Sequence, residues 1–570
     1  MKKSMLYIIA ASALMLSSCN DLLDKSPRDT FTNQPSFWSN ENLVNSYSNG
    51  FYNFYGGASS FYFDDLNDDQ VEPSFANWTY RTIPGKSSAW SDRFTYIRRV
   101  NYLLDNLKTS TLSDATKKKY EAIGRLNRAK EYAELVKLYG DIQWEDHVIT
   151  TVSDPATYGP RNDADSVMLH VLDDLNFAVD NLPNNTSDRT QWSKEMALAM
   201  KSDICLYWGT YCKYRTQDDN GKAPNAELSK KFLTECTKAS EAIMGESFFK
   251  LNDWTPDNSG KIYTIYNSLD LSGNHEAIFY HHYVMDVTQH GLCDYTCSSS
   301  TQKGMTKDCI DAFLFKDGKP LATTTMNTDD KAVKNGPKGD WSIQHFLKNK
   351  DKRLSLLVDS IISFKGHGWV RNEPSPDGPL PAQMTSSTGY TVYKYDNPQM
   401  TISYRTNTNT NYTDIPLYWY PVILLNEAEA KAELGTITQD DLDKTVNLLL
   451  KRAELPNMTL TPEADPANNM GVSNLIWEIR RCRRCELVCD MNYRYWDLIR
   501  WHQLDKLDTN KYPNANLGAN VSNIPGASNT NGYLNGTDAK RTFDHKYYLY
   551  PVPTNEILLN NKIQQNPNWE

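Results

Sequence analysis

The chain has little cysteine for its length and a deficit of positive charge, and each shortage removes a class of protein. Ten cysteines in 570 residues are too few for a disulfide framework. A formal net charge of −10 makes the chain a poor candidate for nucleic acid, whose phosphates demand a basic face. No phosphate loop or dinucleotide glycine fingerprint occurs. His275-Glu276 lacks the second histidine, four residues on, that a zinc-protease helix carries. Past the N-terminal run, no apolar stretch approaches the roughly 20 residues of a membrane-crossing helix, and mean hydropathy is −0.62. What is present is a 39% hydrophobic fraction, enough for a large core, and a 12% aromatic fraction with 34 Tyr and 14 Trp. Such rings fill interiors and also offer flat faces to ligands.

The N-terminus reads as a targeting signal. Met1-Lys2-Lys3 is followed by an apolar run from Leu6 to Leu16, and the run ends Leu16-Ser17-Ser18-Cys19. Charge, short apolar core and small residues make a secretory signal, and its end resembles the bacterial lipobox. Residues 1–18 are therefore expected to be removed and Cys19 to carry lipid. Loss of Lys2 and Lys3 takes the formal charge from −10 to −12. More than one acyl chain gives a stable anchor where a single chain does not. The acidic stretch Asn20-Asp21-Leu22-Leu23-Asp24 resembles the surface-export signal of the Bacteroidetes.

The rest of the chain, 19–570, is read as one mainly α domain. Apolar residues three or four apart predict helices over 121–140, 163–182, 196–214, 227–244, 417–434 and 440–453, and a long helical segment from 473 to about 504. They fall into two blocks of tetratricopeptide-like helical hairpins, about 90–245 and 416–505. A Gly/Asn/Ser/Thr/Pro-rich insertion at about 246–415 separates them, with β-like runs at 277–283 and 390–395, and 510–538 reads as loop. Long loops on a rigid scaffold are usual places for binding.

A series of segments, in order along nearly the whole chain, resembles the SusD/RagB family of outer-membrane nutrient-binding lipoproteins. It comprises Cys19 to Asp24 with Pro27 and Phe37-Trp38, the helix 121–142 ending Tyr139-Gly140-Asp141, the segment 161–183 ending Leu182-Pro183, and 305–320. It continues with Asp351-Lys352-Arg353, the helix 418–435 containing Ala428-Glu429-Ala430, Arg452-Ala453, 475–501, and the closing stretch from Tyr550-Pro551-Val552-Pro553 to Gln565-Asn566-Pro567. One departure stands out: Cys482 replaces a glutamate, and Asp490-Met491 stands where the family has Glu-Gly. The resemblance implies tetratricopeptide-like units with a loop-rich ligand side. It also implies attachment to the outer membrane, a SusC-like TonB-dependent transporter as partner, and capture of an oligosaccharide or polysaccharide without chemistry. Peptide capture, as some members are thought to perform, and a surface glycoside hydrolase are the alternatives.

Sugar rings present apolar C–H faces and hydroxyl-bearing edges, so a binder wants exposed aromatic rings beside Asn, Asp or Arg. Asp69, Asn77, Trp78, Tyr80 and Arg81 offer this mixture in one loop. Tyr283, His290 and Tyr295 precede the 305–320 segment, whose upstream stretch faces ligand in the family. Trp341 and Trp369 lie in Gly-rich loops, and Trp90 is read as core. His281-His282 with Asp286 and His290 is a poor metal set, because alternation along a strand points the first two apart. Cys482, Cys485 and Cys489 at helical spacing read as small core residues. Arg480, Arg481, Arg483 and Arg484 read as a solvated face, with Arg483 pairing Glu486. No catalytic residue, metal or cofactor is expected.

Overall fold

The computed structural model describes residues 34–62, 66–72, 78, 81–297, 301–381, 383–527 and 530–569, with backbone alone at 301–302. Cys19, the acidic stretch behind it, Pro27, Asn77 and Tyr80 lie outside the described residues. The chain is mainly α-helical. Counting helices of eight residues or more, α1 is Glu41–Asn49, α2 Ser88–Leu107, α3 Asp114–Tyr139, α4 Ala164–Asn181, α5 Lys194–Tyr214 and α6 Ala226–Met244. After the loop-rich region come α7 Tyr420–Leu434, α8 Asn474–Glu486 and α9 Tyr493–Arg500. Local chemistry sets the starts. Side chains of Ser113, Asp163, Ser193, Asn225 and Ser473 accept from backbone N–H groups in the first turns of α3, α4, α5, α6 and α8, which satisfies donors that have no helical partner.

From α2 to α8 each helix packs on the next, and α5 also meets α7 and α9. The crossing of α5 with α6 is close because Gly209 has no side chain; a Cβ there would sit 2.7 Å from Leu233 Cγ. Two large apolar clusters result. One fills the space among α1–α5 and the C-terminal segment, and the other lies under the loop-rich region against α7 and α8. Trp90 belongs to the first and packs edge-on to Tyr139 at 4.9 Å. Among the described residues no helix is long and apolar enough to cross a membrane.

The loop-rich region is closed at its base by two antiparallel strands, β1 Ala277–His281 and β2 Ile415–Trp419, with Ala277 opposite Trp419 and His281 opposite Ile415. The helix expected over 417–434 is therefore shorter. Its first residues are strand, and the helix begins at Tyr420 with Pro421, whose fixed φ suits a first turn. The segment 440–453 forms two short helices, Gln439–Lys444 and Val446–Arg452, split where Thr445 adopts φ −127° and ψ −97°. The long helix over 473–504 breaks between α8 and α9, where Cys489, Met491 and Asn492 all take positive φ. Met491 thus holds, at φ +48°, a conformation that glycine adopts without strain. Lys394 Nζ secures the corner by donating to Asp490 Oδ1 at 2.6 Å and to the Val488 carbonyl at 2.8 Å. The run 390–395 is not a strand; Val392 makes one bridge with Val358. The loop 510–538 contains a short antiparallel pair, Leu517–Asn520 with Tyr533–Asn535.

The four arginines of α8 correct the expectation of a solvated face. Arg480 pairs with Glu433 at 3.0 Å, Arg481 with Asp465 and Glu478, and Arg484 with Asp69 and Asp308 at 2.7 Å each. Arg483 reaches Asp497 at 2.8 Å rather than Glu486. Glu486 instead takes Arg353 at 3.1 Å and Arg452 at 2.5 Å. Nearby, Glu429 accepts from both Arg500 amino groups at 2.6 and 2.7 Å and from the Trp501 indole at 2.6 Å. The motifs carrying the family resemblance thus meet one another in the interior. Each charge there is costly to bury and is tolerated because a partner faces it.

Candidate ligand-binding face

Beyond β1 the chain makes a tight hairpin. Val284 and Thr288 exchange backbone hydrogen bonds of 3.1 and 2.9 Å, and Asp286 turns the tip at φ +60°. The tip leaves Val284, Met285 and Val287 exposed. The segment runs on through His290 to the short helix Asp294–Cys297, and a second loop, 404–414, straps it down. His290 and Asn411 exchange backbone hydrogen bonds of 2.9 Å each way. Asn411 Oδ1 accepts from the Cys293 and Asp294 N–H groups at 2.5 and 3.1 Å. Asp414 Oδ1 accepts from the Tyr283 N–H and from His282 Nδ1, both at 2.9 Å, and its Oδ2 accepts from the Leu271 N–H. Polar side chains of this second loop therefore satisfy loop backbone that has no ladder of its own.

This strapping leaves Tyr295 exposed and Tyr283, Tyr404 and Tyr412 half-buried. Tyr295 is 43% exposed, and its ring centre lies 6.4 Å from that of buried Tyr62. Tyr283 is half-buried; Gly57 lets its hydroxyl approach, since a Cβ there would sit 2.7 Å away. Tyr404 and Tyr412 pack edge-to-face at 5.3 Å, and the Tyr404 hydroxyl donates to the Asp286 carboxylate at 2.8 Å. Asp294, the neighbour of Tyr295, has its carboxyl raised by burial to about 6. One of its oxygens accepts from the Asn409 N–H, while Oδ1 has no hydrogen-bond partner among the described residues. The face combines ring surfaces, phenol hydroxyls and carboxylates, a set suited to apolar C–H faces and hydroxyl edges.

The structure redistributes the other expected site residues. His290 is buried and structural: Nε2 donates to the Thr413 carbonyl at 2.8 Å and Nδ1 accepts from the Leu292 N–H. Burial lowers its pKa to about 4, so it is a neutral strut with neither nitrogen free for ligand or metal. Trp78 is 5% exposed; its ring stacks on Tyr547 at 4.3 Å and its indole donates to the Thr542 carbonyl at 2.6 Å. Asp69 is buried against Arg484. Trp369 is buried with Ile361 and Met384, and Trp341 is half-buried against the second core. Arg81 is exposed and lies near Tyr547. Of the ten side chains proposed from sequence, Tyr283 and Tyr295 stand at this face. The face also holds Tyr404, Tyr412 and Asp414, which carry no local signal because the run Tyr404 to Tyr412, rich in Asn and Thr, has the composition of a plain linker.

A cavity of about 440 Å³ lies elsewhere, between α8 and the loops bearing Leu321, Met470 and Tyr512. Its charged walls are committed internally: Arg484 to Asp308, Arg481 to Asp465, Arg494 to Asp68, and Lys506 to the Asn469 carbonyl and the Tyr512 hydroxyl. These charged groups are already paired within the fold, which favours the tyrosine face as the candidate.

Fold and face together define a helical-repeat scaffold carrying a loop-borne aromatic surface. The SusD family profile matches residues 275–569. A SusD-like protein of Bacteroides ovatus is 27% identical over 213 residues, 35% of this chain and 38% of that one. The SusD-like protein P38 of Formosa agariphila is 22% identical over 521 residues, 87% of this chain and 91% of that one. Among solved structures, a SusD-like protein of Bacteroides fragilis superposes with a TM-score of 0.68 at 22% identity, covering 95% of this chain and 100% of that one. A SusD-like carbohydrate-binding protein of the same species gives 0.66 at 19% identity, covering 93% and 100%. The chain belongs to the SusD family.

Proposed function

We propose that this protein is a non-catalytic glycan-binding lipoprotein of the outer membrane, held by lipid on Cys19 and facing outward. It captures an oligosaccharide or polysaccharide and passes it to a SusC-like TonB-dependent transporter. The observation that carries the reading is the loop-built face of Tyr283, Tyr295, Tyr404 and Tyr412, edged by Asp286 and His282. Membership of the SusD family supports it, as do relatives described as carbohydrate-binding and as laminarin-binding. Stacking supplies ring contact, and the carboxylates and phenols meet hydroxyl pairs. Affinity is modest, because the polar groups of the sugar must be desolvated.

The test is retardation of the native protein in gels cast with laminarin, amylopectin, xylan or mannan, with the same mixtures assayed for new reducing ends. Retardation in at least one gel without release of reducing sugar is expected. Failure to be retarded by all four overturns glycan capture, and released reducing sugar overturns the non-catalytic reading. Co-purification with an outer-membrane barrel after detergent extraction tests the transporter.

A further inference from the structure

Cys293 and Cys297 bracket the short helix beneath Tyr295, and the spacing of four puts both sulfurs on one side. Their Sγ atoms are 3.6 Å apart, and Asp396 Oδ1 lies 3.7 Å from the first and 3.0 Å from the second. All three side chains are buried. A tetrahedral ion with metal–sulfur bonds of about 2.3 Å and a metal–oxygen bond of about 2.1 Å sets ligand atoms roughly 3.5–3.8 Å apart. Two of the three separations already fit, and the third has to open by about half an ångström on that geometry. Among the described residues this is the one such cluster of histidine, cysteine and acidic side chains.

Asp396 is also oriented from behind. Arg405 donates to Oδ1 and Oδ2 at 3.0 and 2.8 Å, and Arg371 lies 3.3 Å from Oδ2. Outer partners of this kind fix metal-ligating carboxylates. Arg371 reaches on to Asp359 at 3.4 Å, Lys261 sits 3.5 Å over the Tyr393 ring, and the Tyr393 hydroxyl donates to Glu373. The surroundings therefore hold three cations, Lys261, Arg371 and Arg405, against three carboxylates, Asp359, Glu373 and Asp396. Exchanging the two thiol protons for one divalent cation leaves that balance unchanged: two S–H bonds break, two metal–sulfur bonds form, and two protons leave to solvent.

We infer that Cys293, Cys297 and Asp396 form a buried site for a thiophilic divalent cation of the zinc type, with water completing the fourth position. Two sulfur ligands select such an ion over magnesium or calcium. The bound ion ties the turn carrying Tyr295 to the chain at Asp396. The inference stands on these ligands alone and is independent of which molecule the tyrosine face binds.

The test uses the whole chain in detergent, reduced, freed of metal, and then equilibrated separately with Zn²⁺, Cd²⁺, Mg²⁺ and Ca²⁺. One Zn²⁺ or Cd²⁺ per chain is expected, with no retention of Mg²⁺ or Ca²⁺. A sulfur-to-cadmium charge-transfer band in the unmutated protein reads thiolate ligation without a variant. Cys293→Ser and Cys297→Ala should lose the ion, while Cys482→Ser, which alters a buried cysteine elsewhere, keeps it. Absence of Zn²⁺ uptake by the reduced protein overturns the site, as does uptake unchanged in Cys293→Ser. So does an untreated protein whose mass is two hydrogens short at this pair, the signature of a disulfide.

Discussion

The helical frame and the tyrosine-bearing loops spend their polar groups differently. Inside the frame, charge meets charge: Arg483 with Asp497, Arg500 with Glu429, Arg353 with Glu486. In the loops, besides the buried cluster of Arg371 and Arg405 with Asp396, polar side chains hold backbone. Asn411 and Asp414 each take two N–H groups, and His290 takes one and gives one. The frame consumes its functional groups in folding. The loops use theirs to fix a shape that leaves Tyr295 outward, and the sequence motifs that identify the family lie away from the proposed ligand face.

That contrast can be broken at several points. The largest expected effect is in the frame. Glu429→Ala leaves the Trp501 indole without its acceptor and the Arg500 guanidinium with Asp497 as its remaining carboxylate, and loss of one partner of a buried pair costs up to about 3–5 kcal/mol, read as a lower denaturant midpoint. A midpoint within error of wild type would show that the network is dispensable.

Next comes pH. The folded pKa of His290 is about 4 against an ordinary 6.5, so between those values the unfolded chain binds the proton first. Stability from this group is complete above about pH 6.5 and is lost as pH falls toward 4, by about 3 kcal/mol in all. His290→Gln should flatten that limb of the unfolding curve; an unchanged acid limb would remove His290 as its cause. Trp78→Phe comes third. It leaves the Thr542 carbonyl without its donor, at about 1–3 kcal/mol, and leaves glycan retardation as in wild type. The smallest effect is expected at the exposed pair Lys444–Asp440, where Lys444→Ala should leave the denaturant midpoint within error of wild type.

Much of the frame is legible in the sequence because helix starts and apolar periodicity are local. Asp163 and Ser193 cap where the pattern begins, and Pro421 marks the true start of α7. The burial of the α8 arginines is not local. Nothing near Arg484 in the chain announces Asp69, 415 residues away, so a run of four charges read as solvated. The proposed ligand face is hard to read locally for the same reason in reverse. Trp78 looks like an exposed loop aromatic until the C-terminal Tyr547 covers it, whereas Tyr404 comes into place only when its loop meets the 281–297 segment. His290 was singled out for its chemistry, and the structure uses that chemistry to hold Thr413.

The division of labour between frame and loops is tested most directly by comparing Tyr295→Ala with Trp78→Phe in the same polysaccharide gels, with melting temperatures measured in parallel. Tyr295→Ala should lose most of its retardation at an unchanged melting temperature, and Trp78→Phe should melt lower while keeping its retardation. Full retardation of Tyr295→Ala together with loss in the folded Trp78→Phe protein would contradict the assignment and return the ligand to the Trp78 region.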